Sequence, residues 1–297
     1  GRVYKLRSAT RGAAGPVRVA RFPNHNTVFP YKTDTFLYNH RYGGVDERGV
    51  YRATTQSAPK PMEMIGQRLF TGRVAVAQAA LVFSKKLFAN TKKYSDSKEC
   101  AMRGDTPFLT DVPQLKALYD EASTRFSELE TFVNAREASL CLSLTRGELP
   151  EYNLTRAIAV AKIKSVETCV ELCHRLKQEV GSYALMANTG FEHTDFLQCC
   201  KFAEGDSRIL GQKIARDAFA EFGKKRKNYL AALGWSSLET EACARVAASV
   251  AQAVANGASK MRAWDGAWRD VYLLADSVCD RVMSETFPEN TNLSAKL

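Results

Sequence analysis

The opening sixty residues and the remainder of the chain follow different patterns. Over residues 1–60, Gly12, Gly15, Gly43, Gly44 and Gly49 alternate with Pro16, Pro23, Pro30 and Pro59, so only short β-prone pieces fit between the breakers, at 27–29 and 49–51. From about residue 62 the apolar positions take a helical period. Ile65, Leu69, Val76, Ala80, Phe83 and Leu87 mark one stripe, ended by Pro107 and Pro113. Leu115, Leu118, Ala122, Phe126, Leu129 and Val133 mark a second helix that stops near Gly147 and Pro150. A third spans about 154–180, with Ile158, Ile163, Val166, Val170 and Cys173 turned inward. After an irregular stretch over 181–202, a fourth helix begins near Glu204 and runs to about 233, and two more cover 237–256 and 261–286. The last carries Trp264, Trp268, Val271, Ala275, Val278 and Val282 on one face.

Long amphipathic helices with short breaks predict a mainly α protein built as an antiparallel helical bundle, preceded by a short irregular or β segment. The expected division is 1–60, 61–235 and 236–297. No apolar run is long enough to predict a membrane span.

Charge adds a second asymmetry. The 42 basic and 32 acidic residues leave a formal net charge of +10, which favours polyanionic partners, phosphorylated cofactors included. Residues 1–33 hold seven Lys or Arg and no acid, the pattern of a basic arm, a targeting leader or a solvated start. Lys224, Lys225, Arg226 and Lys227 suit the last turn of a helix, where cations favour the dipole. No aromatic stacking pattern accompanies them, so nucleic acid is not an expected partner. The eight cysteines include no C-x-x-C pair; Cys169 and Cys173, four apart, are expected to be small buried side chains, and no metal site is expected.

Familiar catalytic signatures are missing: there is no G-x-G-x-x-G, phosphate loop, H-E-x-x-H or G-x-S-x-G, and His25, His40, His174 and His193 are scattered. The informative stretch is 178–216. In it Ala203-Glu204-Gly205-Asp206 opens a helix directly after Phe202. A carboxylate there, beside a glycine that lets a ligand come close, suits a general base. The same glutamate would also simply favour the positive end of a helix dipole.

Four segments in order resemble motifs of the acyl-CoA oxidases. They are Tyr42-Gly43-Gly44-Val45-Asp46-Glu47-Arg48-Gly49, Thr71-Gly72-Arg73-Val74-Ala75-Val76-Ala77, Tyr94-Ser95-Asp96-Ser97-Lys98, and 203–216 with its E-G-D start. The resemblance covers about 27–220 and implies the C-terminal helical bundle of the acyl-CoA dehydrogenase and oxidase superfamily, with the tail of its β middle domain over 1–60. It implies FAD as cofactor, a fatty acyl-CoA as substrate, oxygen as electron acceptor and a flavin site completed by a neighbouring subunit. In such enzymes the E-G-D glutamate removes the substrate α-proton, a role that falls here to Glu204. Gln178 and Gly181 match a flavin-contacting turn in which Ser182 replaces a second glycine, and Lys98 stands where a flavin-contacting arginine is expected. Gly205 is expected to admit the ligand closely, and Arg73 to meet the coenzyme A phosphates. The ending Ala295-Lys296-Leu297 resembles a peroxisomal address. Because the resemblance begins only near residue 27, a second expectation stands beside catalysis: a truncated relative serving as a non-catalytic subunit of a larger assembly.

Overall fold

The computed structural model describes residues 3–6, 17–20, 43–45, 51–53, 61–100, 108–146, 148–225 and 237–285. Its internal packing separates two units, Gly1–Ile65 and Gly66–Leu297. The first holds two antiparallel hairpins. Strand β1 (Val3–Leu6) pairs with β2 (Val17–Ala20), Val3 opposite Ala20, and β3 (Gly43–Val45) pairs with β4 (Tyr51–Ala53), Gly43 opposite Ala53. The expected piece at 27–29 and the terminal Ala295-Lys296-Leu297 lie outside the described residues.

The rest is helical: α1 (Pro61–Ser97), α2 (Pro113–Thr145), α3 (Tyr152–Glu179), α4 (Asp195–Phe202), α5 (Ser207–Lys225), α6 (Ser237–Ala255), α7 (Lys260–Gly266) and α8 (Trp268–Ser284). Pro113 stands at the first position of α2, where its missing N–H costs nothing. Gly181 ends α3 in the left-handed region at φ +58, the usual helix-stopping conformation. The Ser259 hydroxyl caps α7 by accepting from the Arg262 amide. The stretch expected to be irregular contains 3-10 turns at Gly181–Leu185 and Phe191–His193 and the two-turn helix α4. Helix α4 is too short for its period to show in sequence.

Contacts along the helices give their directions. Gln78 reaches Glu137, Lys85 reaches Glu130, and Ser95 reaches Tyr119, so α1 and α2 are antiparallel. Arg125 and Arg175 share Glu121 and Glu171 between α2 and α3, which also run antiparallel. These ion pairs are largely exposed and contribute little stability, yet they fix register. Lys162 meets Ser207 and Arg156 faces Glu221, so α5 descends beside α3. Helices α1, α2, α3 and α5 therefore alternate up, down, up, down.

Helix α3 is buried on nearly every side, from Ala157, Ile158 and Val160 through Val166 and Leu172 to Leu176. The second stripe falls where the sequence places it, with Leu115, Leu118, Ala122, Phe126, Leu129 and Val133 all buried. The first is borne out in part. Ala80 and Leu87 are buried as expected, but Leu69 is exposed, Val76 and Phe83 are half-buried and the Ile65 side chain lies outside the described residues. The buried face of α1 extends instead through Val74, Ala77, Leu81, Ser84, Phe88, Thr91 and Ser95. Three hydroxyls on the inward seam disguise it from a hydrophobicity reading. At the far end Val271, Ala275, Val278 and Val282 are buried as expected, while Trp268 is half exposed because Ala267 breaks the predicted last helix in two.

Cys169, Cys173, Cys200, Cys243 and Cys279 are buried, and burial pushes their thiols up, Cys173 to about 11 and Cys169, Cys243 and Cys279 to about 12. No group of metal-binding side chains occurs among the described residues. A thiol reagent at neutral pH should label Cys141 and Cys199 rapidly and leave the five buried thiols untouched in the native protein, as peptide mass mapping would record.

Candidate functional site

The turn between α4 and α5 places two consecutive residues in the left-handed region, and besides Asn188 its Glu204 is the non-glycine residue found there among the described residues. Glu204 has φ +55 and Gly205 φ +101. The left-handed region is natural for glycine but costs a β-carbon-bearing residue about 1 kcal/mol or more, and it persists only where surroundings enforce it. Two cations supply that enforcement. Arg73 on α1 donates from Nε to the Glu204 carbonyl at 3.0 Å. Lys162 on α3 donates from Nζ to the Lys201 carbonyl at 2.6 Å, the Gly205 carbonyl at 2.9 Å and Ser207 Oγ at 3.0 Å. The helix then starts on Asp206, whose Oδ1 accepts from the Arg208 amide at 2.7 Å. Glu204 thus precedes α5 by a turn and does not serve as a first-turn residue of the helix.

The Glu204 side chain lies against α1 at Gly72. A β-carbon on that glycine would stand 2.4 Å from Glu204 Cδ, 2.6 Å from Oε2 and 2.7 Å from Cγ, so only hydrogen fits there. Gly72 sits inside a long helix, where glycine weakens the element, and this close approach explains it. Phe202 and Ile209 flank the turn in sequence, each 62% exposed, and the Glu204 side chain is half-buried.

Burial draws the Arg73 guanidinium below its ordinary value, with the Glu204 charge opposing. Lys162 is wholly buried, and desolvation lowers it to about 8; Asp206, Glu167 and Cys200 oppose the fall and Arg73 adds to it. The unfolded chain keeps that proton to about 10.5 and the folded chain releases it near 8, so this group's contribution to stability grows as pH climbs from about 8 to 10.5 and is lost as pH falls through 8. At neutral pH the charged lysine is therefore a cost to the fold.

Of the residues expected from sequence, Glu204, Gly205 and Arg73 come together at this turn. Gln178, Gly181 and Lys98 form a separate group. Tyr94, one turn before Lys98, stacks on Tyr183, two residues after Gly181, with ring centroids 3.7 Å apart. Gln178 and Lys98 are exposed, and nothing lies within 4 Å of a β-carbon built on Gly181. Arg73 and Ser97 are separated by 24 residues of continuous helix, about 36 Å. The two groups therefore lie about 36 Å apart along α1. Sequence reasoning missed Lys162 and Gly72. A lysine inside the apolar stripe of α3 and a glycine inside a helix were the available signals.

No family model and no curated protein sequence matches the chain. Solved structures do. Acyl-CoA oxidase-2 of Caenorhabditis elegans, bound with FAD, ascaroside-CoA and ATP, matches with a TM-score of 0.66 at 10% identity over 84% of this chain and 42% of its own. Acyl-CoA oxidase 1 of Arabidopsis thaliana matches at 0.61 and 12%, over 84% and 42%. The tomato acyl-CoA oxidase matches at 0.61 and 12%, over 84% and 43%. The chain has the fold of these oxidases over a share corresponding to their C-terminal half, and spans less than half their length.

Proposed function

We propose that this chain is the base-bearing helical part of a flavin-dependent acyl-CoA oxidase that desaturates a fatty acyl-CoA between its α and β carbons. The observation that carries the reading is Glu204: a carboxylate in a left-handed turn held by the partly buried Arg73 and the buried Lys162, seated on a glycine, with the exposed apolar Phe202 and Ile209 nearby in sequence. Strain enforced at a carboxylate marks a functional site. In the reaction Glu204 accepts the proton from the substrate α carbon, and the C–H electron pair left behind becomes the new double bond as the β carbon gives up hydride. FAD, when bound, would supply the acceptor for that hydride and the route by which the electrons reach oxygen as hydrogen peroxide. Phe202 and Ile209 offer exposed apolar surface near the turn to the alkyl chain.

The far group fits a phosphorylated cofactor. Lys98 offers a positive charge, the Gln178 amide offers donors, and Gly181 leaves open space for close approach. A lysine gives a point charge in place of a bidentate fork, so it holds phosphate with less directional control. Separated from Glu204 by some 24 residues of α1, these residues serve the flavin of a second copy, and the exposed Leu185 and Met186 beside Gly181 fit contact with it. Mixing Lys98→Glu with Glu204→Gln, each inactive alone, should restore activity, because some mixed oligomers contain one intact site. A mixture as inactive as its components would mean that each site is built within one copy.

The direct test is visible absorbance of the purified enzyme containing this chain, before and after an acyl-CoA is added without oxygen. A flavin spectrum that bleaches supports the reading. A flavin spectrum unchanged by any chain length of acyl-CoA overturns it.

A further inference from the structure

Resting on that reading, we infer that Lys162 is a positioning residue for the catalytic base: its ammonium, planted in the core of α3, holds the Gly205 carbonyl and so fixes where the Glu204 carboxylate points. Three donors meet three acceptors, two of them main-chain carbonyls on either side of Glu204, at 201 and 205, and the third the Ser207 hydroxyl that opens α5. Lys201 is itself tied by its own ammonium to Glu167 on α3, at 2.8 Å, so the incoming and outgoing ends of the turn hang on one helix. Arg73 grips the intervening Glu204 carbonyl from α1. A chain optimised only for stability would fill this place with an apolar residue, since a buried charge disfavours the fold at neutral pH. Lysine stays charged here only against the pull of its surroundings, and what it holds in return is the turn that carries Glu204, the one glutamate in the left-handed region among the described residues. The titratable groups facing it are Asp206 ahead of α5, Glu167 on its own helix, Cys200 on α4 and Arg73 on α1.

The test compares wild type, Lys162→Met, Lys162→Gln and Glu204→Gln by two measurements. Hydrogen exchange of amides 203–208 reports the turn without any need for activity, with the amides of α2 as an internal control. In Lys162→Met, exchange at 203–208 should quicken by about tenfold or more while α2 is unchanged, since a local opening leaves the global core intact. Anaerobic flavin bleaching reports the chemistry. Lys162→Met should lose about 100-fold in the bleaching rate at saturating acyl-CoA with the half-saturating concentration little altered, as expected for a misplaced catalytic group, and Lys162→Gln should recover part of the loss through its two donors. The wild-type rate should also decline as pH rises through about 8, a limb missing from Lys162→Met. Wild-type bleaching in Lys162→Met, or unchanged exchange at 203–208, overturns the inference and leaves the proposed function standing. Full activity in Glu204→Gln overturns the proposed function instead, while the exchange data still decide whether Lys162 holds the turn.

Discussion

Glu204→Gln is expected to slow substrate-driven flavin bleaching by about 100- to 10,000-fold, the span that a positioned base contributes to proton transfer. The substitution is a clean one for a structural reason. Both cationic clamps bind main-chain oxygens, Arg73 on Glu204 and Lys162 on Gly205, so neither hydrogen bond involves the carboxyl being changed. Glutamine has nearly the same shape, and a partly exposed side chain replaced this way should shift stability by no more than about 0.5 kcal/mol. Substrate binding should persist, because the exposed Phe202 and Ile209 remain. Stopped-flow absorbance under anaerobic conditions would record the rate and a substrate titration the affinity. A Glu204→Gln enzyme with the wild-type rate would remove Glu204 from the chemistry altogether.

The helical layout was legible in the chain because apolar side chains repeat at the period of the helix. It was most legible where the inward face is uniformly apolar, as in α2 from Leu115 to Val133. It was misread where polar atoms go inward. Ser84, Thr91 and Ser95 lie on the buried line of α1, and a scale that scores hydroxyls as surface rotates the stripe toward Leu69 and Val76. The candidate base was visible as a motif, but its conformation was not. Nothing local in Glu204 announces φ +55; that value is set by Arg73, 131 residues earlier, and by Lys162 on another helix. The same holds for the grouping of the expected site residues. Sequence order places Lys98 nearer to Arg73 than Gln178 is, yet the run of α1 carries Lys98 about 36 Å from Arg73, and the stacking of Tyr94 on Tyr183 brings that part of α1 to the turn that follows Gly181.

Gly72→Ala separates stability from catalysis more sharply than any change to a charged group. Within a helix, alanine in place of glycine ordinarily gains about 1 kcal/mol. Here the added methyl would meet three atoms of the Glu204 side chain, the nearest at 2.4 Å, where ordinary contact begins near 3.4 Å. Something must give by about 1 Å, and the main chain on the Glu204 side is held by Arg73 and Lys162. The side chain is the softer part, so the carboxylate swings off its seat while the fold stays closed. Thermal unfolding should therefore be unchanged or slightly raised, and kcat should fall about 100-fold, since displacement of a catalytic group by about 1 Å has that scale of effect. The loss should vanish in the Glu204→Gln background, where no base is left to displace, which is the non-additivity expected of two residues acting through one contact. A Gly72→Ala protein that loses stability and activity together would make the close approach a packing requirement of the α1 interface. One that keeps full activity would show that the base works from a range of positions, and the clamps on its main chain would then serve the fold alone.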